Sequence, residues 1–297
     1  MRSNDRILLL GKHGQLGWEL QRTLAALGPV TAIDYEDVDF TDGNGLREAV
    51  RELTPRVIVN AAAYTDVDKA ETERERAYAI NAAAPGVLAE EAKKLGAGLI
   101  HYSTDYVFDG TASEPYTETS ATNPLGVYGA TKLAGEQAVA ASGADYLTLR
   151  TAWLYSNHGK NFLNTMLRLA GERNALRVVD DQTGSPTYSD LVASATLEML
   201  EGLYSNGSVR RERCGLYHVT CEGQTTWCGF TKKIVELSGH GERVHVTPIT
   251  TAEYPTPAKR PAYSVLSNAR LAQVFGIRLP DWQAGLRKCL AERSVRG

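Results

Sequence analysis

ILLLGKHGQLGWEL, residues 7–20, is the stretch on which the fold turns. Ile7–Leu10 is a short apolar run that ends on Gly11, as a buried parallel strand does. Residues 16–27 then place Leu16, Leu20, Leu24 and Leu27 on one helical stripe, closed by Gly28-Pro29. Between the two lies Gly11-Lys12-His13-Gly14-Gln15-Leu16-Gly17, spaced G-x-x-G-x-x-G rather than G-x-G-x-x-G. Glycines here permit a tight turn and let backbone N–H groups approach a pyrophosphate at the positive end of the following helix. Glycines alone fit a bare strand-to-helix turn as well. Their place after the first strand of an alternating pattern favours the ligand reading.

That alternation continues outward. Val30–Ile33 reads as a second strand, residues 46–53 as a second helix and residues 57–63 (VIVNAAA) as a third strand. An Ala-rich helical stretch then runs to Leu95, and residues 98–103 (GLIHYS) form a fourth strand. Helical patterning resumes from Leu125 to Ala140, and residues 146–154 (YLTLRTAWL) read as another strand. Strands and helices alternating at this spacing predict right-handed βαβ units, hence an α/β, Rossmann-type, doubly wound parallel sheet. Beyond Asn157 the regularity loosens. Residues 180–188 (DDQTGSPTY) are turn-rich, and residues 249–261 hold Pro255, Pro257 and Pro261. Residues 1–155 are therefore expected to be mainly the dinucleotide-binding domain. Residues 156–297 are expected to form mainly a smaller substrate-binding lobe, with some segments returning to the sheet.

Composition narrows the function. A formal net charge of −3 over 297 residues argues against a nucleic-acid binder, which needs a basic face. No apolar run is long enough to span a bilayer, and MRSNDR leads into no secretory h-region, so the expected location is cytoplasmic. Cys214, Cys221 and Cys228 recur every seven residues, with Cys289 apart. That repeat invites a metal reading, but zinc favours tight Cys-x-x-Cys pairs, and free thiols are the expectation.

The chemistry concentrates in the first half. Tyr128 and Lys132 stand four apart, on one helix face. A phenol near its ordinary pKa of about 10 exchanges protons poorly at neutral pH, and an adjacent cation would lower it. Tyr-x-x-x-Lys by itself is a weak signal, since such pairs are usually solvated surface. Its value comes from following a strand that ends Ser103-Thr104-Asp105, whose hydroxyls could hold a carbonyl. Asp34 closes the second strand about 20 residues past the glycine turn, where an acid binds the adenosine ribose and disfavours a 2′-phosphate. A plain turn-starter role for Asp34 is the alternative. Asp39 and Phe40 would flank the adenine.

Seven pieces then carry a resemblance: GKHGQLGWELQ (11–21), VNAAAYTDVDKAE (59–71), HYSTDYVFDG (101–110), VYGATKLAGE (127–136), RTAWLY (150–155), NFLNTMLRLA (161–170) and YPTPAKRP (254–261). Nearly the whole chain resembles the dTDP-4-dehydrorhamnose reductases of the extended short-chain dehydrogenase/reductase superfamily. The resemblance implies NADPH- or NADH-dependent hydride transfer to C4 of dTDP-4-dehydro-6-deoxy-L-mannose, giving dTDP-L-rhamnose. It makes Thr104, Tyr128 and Lys132 the catalytic triad, with Tyr128 as proton donor and Lys132 on the nicotinamide ribose. The dinucleotide would meet Gly11, Gly14, Gln15, Leu16 and Gly17, then Asp34, Asp39 and Phe40. It would also meet Ala61, Ala62, Ala63, Tyr64, Thr65 and Tyr102, besides Tyr128 and Lys132. Thr104, Asp105 and Trp153 would contact the dTDP-sugar.

The chain departs from the family at His13, where relatives often carry Thr. Some relatives form homodimers through Mg²⁺ held by surface carboxylates. Glu19 and Glu292 match such positions, but Asp190 stands where a Glu is expected, so the metal is left unassigned. Solvated helix-face carboxylates are the equal alternative. Lys259 and Arg260, between stiffening prolines, suit a diphosphate, with Asn161 and Arg168 as further candidates. His101, His218 and His245 sit in strand-like runs and read as packed side chains. Two rival functions are weighed. An epimerase or dehydratase of the same superfamily is one, but a dehydratase would carry Glu where Tyr106 stands. A non-catalytic subunit of the methionine adenosyltransferase regulatory type is the other, and the intact Thr–Tyr–Lys set argues against it.

Overall fold

The computed structural model describes residues 6–205 and 207–296. Six strands form the central sheet: β1 (Ile7–Leu10), β2 (Val30–Ile33), β3 (Val57–Asn60), β4 (Gly98–Thr104), β5 (Asp145–Thr151) and β6 (Gly215–His218). Their order is β6-β5-β4-β3-β1-β2, and every neighbouring pair is parallel. The chain leaves β1 towards β2 on one side and continues through β3 on the other. The order therefore reverses between β1 and β3, and a crevice opens there above the carboxyl ends of the strands.

Helices cover both faces, which is why β1 and β3 are buried along their length and apolar up to Asn60. Residues of β1 alternate between two cores. Ile7 and Leu9 join Leu20 and Leu24 of α1 (Gln15–Leu24), while Leu8 and Leu10 join Leu46 and Val50 of α2 (Gly43–Leu53) and Leu88 and Ala92 of α3 (Ala84–Leu95). Each such Leu or Ile stabilises the fold by roughly 1.5–3 kcal/mol relative to exposure. The remaining long helices are α4 (Val127–Ala141), α5 (Phe162–Glu172), α6 (Ser189–Leu203), α7 (Trp227–Leu237) and α8 (Trp282–Arg296).

Three sequence readings change. The third strand ends at Asn60 rather than Ala63, because residues 61–65 turn aside over the carboxyl end of β1. The Ala-rich stretch is not one helix: short turns at Val67–Ala70 and Arg74–Tyr78 lead into a π-turn at Ala79–Ala83 before α3 begins with Pro85 in its first turn. The apolar run 146–154 breaks after Thr151. Trp153 adopts φ +46°, and Leu154–Tyr155 pairs instead with Thr187–Tyr188.

A second hydrophobic cluster gathers Tyr155, Leu163, Phe230, Ile234, Trp282 and Leu286 between α5, α7 and α8. Beside it Ala175–Val179 pairs in parallel with His245–Ile249. Between these segments the chain returns to the sheet, where α6 shares the core of α1 and β6 extends the edge beyond β5. His101 and His218 are buried on their strands, whereas His245 is exposed on its strand's outward face, against the expectation that it packs inside. All four cysteines are free thiols. No helix among the described residues is long and apolar enough to cross a membrane.

Candidate active site

The glycine turn approaches the segment after β3 more closely than a side chain allows. Gly11 has φ +89°, and a Cβ there would lie 2.6 Å from the Ala62 nitrogen. A Cβ on Gly17 would lie 1.8 Å from the Gly11 oxygen. Gly14 starts α1 with no side-chain cap, so the helix's first N–H groups face the crevice with the positive end of its dipole. Asp34, buried at the tip of β2, accepts from His13 N–H and Tyr35 N–H, both at 2.9 Å. A backbone cradle for a diphosphate with an acid beyond it fits the adenosine half of a dinucleotide. Asp39 and Phe40, expected to flank the adenine, have local partners in this structure. The Asp39 carboxylate accepts from the Thr41 N–H and hydroxyl at 2.8 Å, and Phe40 is a core side chain packed near Leu46.

Tyr128 and Lys132 lie on the first turns of α4. Gly129 and Gly135 let that helix close on its neighbours, since a Cβ at either would lie 2.1 Å from a backbone oxygen, of Tyr106 and Asn81 respectively. A buried bidentate pair anchors the helix to β5: Arg150 Nε and Nη2 donate to Glu136 at 2.8 and 2.6 Å. Lys132 is only 3% exposed, and its ammonium donates to the Tyr102 carbonyl at 2.6 Å. Burial lowers its pKa to about 8, against partial support from Glu136. The Tyr102 hydroxyl pairs instead with Thr196 at 2.7 Å, so this residue faces the crevice through its main chain.

Burial pushes the Tyr128 phenol up to about 12, with the Thr104 hydroxyl drawing it down and Asp105 raising it. Lys132 is not among the groups that shift it, because the ammonium is turned to Tyr102. The expected tuning of Tyr128 by Lys132 is thus absent from this arrangement, and the phenol is held in its proton-donating form. Thr104 ends β4 and donates to Asp105 Oδ1 at 3.0 Å. Asp105 is 2% exposed, and its Oδ2 has no hydrogen-bond partner among the described residues. Burial lifts this carboxyl to about 6 despite the nearby Ser264 and Thr104 hydroxyls. The sheet end therefore brings together a hydroxyl, a phenol and an unsatisfied carboxyl, a set able to hold a carbonyl and supply it a proton.

Trp153 stands apart from the triad, stacked on Trp227 with ring centroids 3.5 Å apart and planes 3° off parallel. Its left-handed backbone costs on the order of 1–3 kcal/mol and turns the indole across Gly184, where any Cβ would lie 2.4 Å from the ring. Trp227 carried no sequence signal, being one apolar residue at the start of an amphipathic helix. Asn81 was also missed. It is buried in the π-turn, accepts from Tyr64 N–H at 2.8 Å, and donates to the Tyr64 oxygen and to Thr131 of α4. A polar residue within the Ala-rich stretch was its only trace.

Other candidates have structural work. Arg260 forms a two-pronged pair with Asp68 at 2.9 Å, so the loop 254–261 is tied to the segment after β3, while Lys259 is exposed. Asn161 caps α5, and Arg168 makes an exposed pair with Glu172. At the positions considered for Mg²⁺, Glu19 pairs with Arg22, Asp190 with Lys288, and Glu292 accepts from Tyr188. Among the described residues no three His, Cys, Asp or Glu side chains gather as a metal site. With a cation already beside each of these three carboxylates, they do not fit the ion, and no step is derived through it.

Comparison with known proteins agrees with this geometry. The family model described as the RmlD substrate binding domain matches residues 5–295. A dTDP-4-dehydrorhamnose reductase of Burkholderia thailandensis is 46% identical over 97% of this chain and 98% of its own. Among solved structures, a dTDP-4-dehydrorhamnose reductase of Clostridium acetobutylicum superposes with a TM-score of 0.90 at 40% identity, covering 97% of this chain and 99% of the other. Its Bacillus anthracis counterpart, solved in complex with NADP, also gives a TM-score of 0.90, at 36% identity and the same coverage.

Proposed function

The chain belongs to the family of dTDP-4-dehydrorhamnose reductases, and from that premise we propose that it reduces the C4 ketone of dTDP-4-dehydro-6-deoxy-L-mannose to give dTDP-L-rhamnose. It is an NAD(P)H-dependent oxidoreductase. The bound reduced dinucleotide supplies the hydride that adds to C4. Tyr128 gives its phenolic proton to the oxygen that was the ketone, so one hydride and one proton convert C=O to CH–OH. Thr104 holds that oxygen during transfer, and Asp105 and Trp153 position the sugar. Lys132 binds the nicotinamide ribose, with its charge steadied by the Tyr102 carbonyl.

The observation that supports this most is the Tyr128 phenol hydrogen-bonded with Thr104 at the end of β4. Reduction needs an acid at the carbonyl, and a phenol carries its proton at neutral pH, the more so with its pKa raised to about 12. In the same reading residues 1–155 mainly bind the dinucleotide, and 156–297 mainly form the substrate lobe. The enzyme acts as a cytoplasmic homodimer, which light scattering during gel filtration tests directly. The activity test mixes the protein with the dTDP-ketosugar and either reduced dinucleotide and follows its oxidation, with the product identified by mass. Ketosugar-dependent oxidation yielding dTDP-L-rhamnose is expected; turnover of the sugar without net oxidation of dinucleotide would instead mark an epimerase.

A further inference from the structure

The turn after β1 and the turn after β2 meet in a group of charges that the hydride transfer does not use. Lys12 Nζ lies 2.6 Å from Asp37 Oδ2 and 2.9 Å from Glu36 Oε1. His13 Nε2 lies 2.6 Å from the same Glu36 oxygen. The His13 N–H donates to Asp34, and the Asp34 N–H donates to Asp37 Oδ2 at 2.8 Å. Two basic side chains from the first turn thus face three carboxylates of the second, and Asp34 sits among them. The parallel register of β1 and β2, with Leu10 opposite Ile33, brings the two turns level.

At the tip of β2 in a doubly wound sheet, an acid receives the ribose 2′-hydroxyl of NADH, and a nearby cation accommodates the 2′-phosphate of NADPH. Both kinds of group are present here, and the basic side chains are already occupied. The occupants are on the surface: the side chains of Glu36 and Asp37 are 40% and 39% exposed, against 21% for Lys12. Pairing raises the Lys12 pKa and lowers those of Glu36 and Asp37, so all three are charged at neutral pH. Asp37 has a second tie to the Asp34 N–H, whereas the Glu36 carboxylate meets Lys12, His13 and its own N–H and crosses to no other element among the described residues.

We propose that Lys12 and His13 receive the 2′-phosphate of NADPH, with Glu36 as the displaceable stand-in for it, so that this cluster sets the preference between NADPH and NADH. The inference rests on the reading of the Asp34 crevice as the adenosine site. With NADH the cluster stays closed and Asp34 meets the 2′-hydroxyl. With NADPH the phosphate oxygens replace the Glu36 carboxylate on the Lys12 ammonium and the His13 ring N–H, and Glu36 turns to solvent. Charge-assisted contacts to phosphate exceed neutral ones, while Asp34 and Asp37 repel the dianion. The balance is adjustable from either side, by weakening the cations or by removing the competitor.

Two fragments isolate the effect from hydride chemistry: 2′,5′-ADP carries the extra phosphate and 5′-AMP does not. Their affinities are measured by calorimetry at low salt on the full-length protein and on the Lys12→Met, His13→Thr and Glu36→Gln variants, whose altered side chains all reach solvent. Lys12→Met is expected to weaken 2′,5′-ADP by about tenfold and His13→Thr by less, while Glu36→Gln strengthens it severalfold. The affinity for 5′-AMP should move by less than about twofold in all three. The NADPH-to-NADH ratio of kcat/KM should follow the same order. An unchanged ratio of the two fragment affinities in both Lys12→Met and Glu36→Gln overturns the assignment and leaves the adenosine reading standing. Failure of both fragments to compete with NADH on the unmodified protein overturns both, and failure of 2′,5′-ADP alone overturns the assignment only.

Discussion

Lys132 Nζ lies 2.6 Å from the backbone oxygen of Tyr102, on the strand that two residues later ends in Thr104. The lysine of α4 is therefore clamped to β4 itself, and the helix and the strand end that carry the two halves of the proposed proton-transfer site are held in one register. The clamp is costly, because it keeps an ammonium out of water.

That cost gives Lys132→Met an unusual signature. The folded pKa of Lys132 is lowered from 10.5 to about 8. Between those values the unfolded chain binds more protons than the folded one, so this group makes stability rise as pH climbs from about 8 towards 10.5. Below that window the buried charge costs on the order of 3 kcal/mol. Lys132→Met should therefore not lower the unfolding midpoint at neutral pH, while turnover and dinucleotide affinity both fall. In the unmodified enzyme dinucleotide affinity should weaken as pH passes about 8, and that limb should vanish in the variant. A destabilised variant with normal cofactor affinity would show Lys132 to be architectural.

Tyr128→Phe keeps the ring that meets Tyr106 edge-on at 5.5 Å and removes only the hydroxyl. Turnover should fall by about 10²–10⁴-fold, the usual contribution of a positioned general acid, with dinucleotide binding nearly intact. Single-turnover kinetics with saturating dinucleotide would measure this, and a near-normal rate removes Tyr128 from the mechanism.

Asp105→Asn preserves an acceptor for the Thr104 hydroxyl and removes a buried charge. The carboxyl's pKa is raised from 3.8 to about 6, so the folded protein holds a proton that the unfolded chain has lost. Stability from this group is thus present below about 3.8 and is lost as pH rises through about 6. The variant should be more stable than the parent at neutral pH, by up to about 3 kcal/mol, and the gain should shrink towards pH 4. KM for the ketosugar should rise. Denaturant titrations at the two pH values decide the first part, and an equal shift at both would refute it.

Gly184→Ala tests the Trp153–Trp227 stack from outside the triad. The added methyl meets the Trp153 indole at 2.4–2.7 Å and has to push it off its partner. KM for the dTDP-sugar should rise several-fold, dinucleotide affinity should stay, and tryptophan fluorescence should change as the rings separate. An unchanged emission spectrum together with unchanged KM would mean that Trp153 does not hold the sugar.

What the sequence determined by itself was what neighbours along the chain decide. A short apolar run ending in glycine, Ile7–Leu10, reads as a buried strand, Gly11 and Gly17 mark a turn no side chain fits, and a four-residue step places Tyr128 and Lys132 on one helix face. Those signals reached most of the sheet and the proposed triad. Tertiary structure decided everything that depends on which distant group arrives next to a side chain. The partner of Lys132 is a carbonyl of β4 rather than the phenol one turn away, since burial leaves the ammonium needing the nearest acceptor. Arg260 meets Asp68, 192 positions earlier, instead of standing free for a diphosphate. Trp153 leaves its strand to lie on Trp227, and Lys12 and His13 find Glu36 across two strand ends. Pairings of this kind follow from how the sheet orders its strands and closes its loops, and no local period or propensity encodes them.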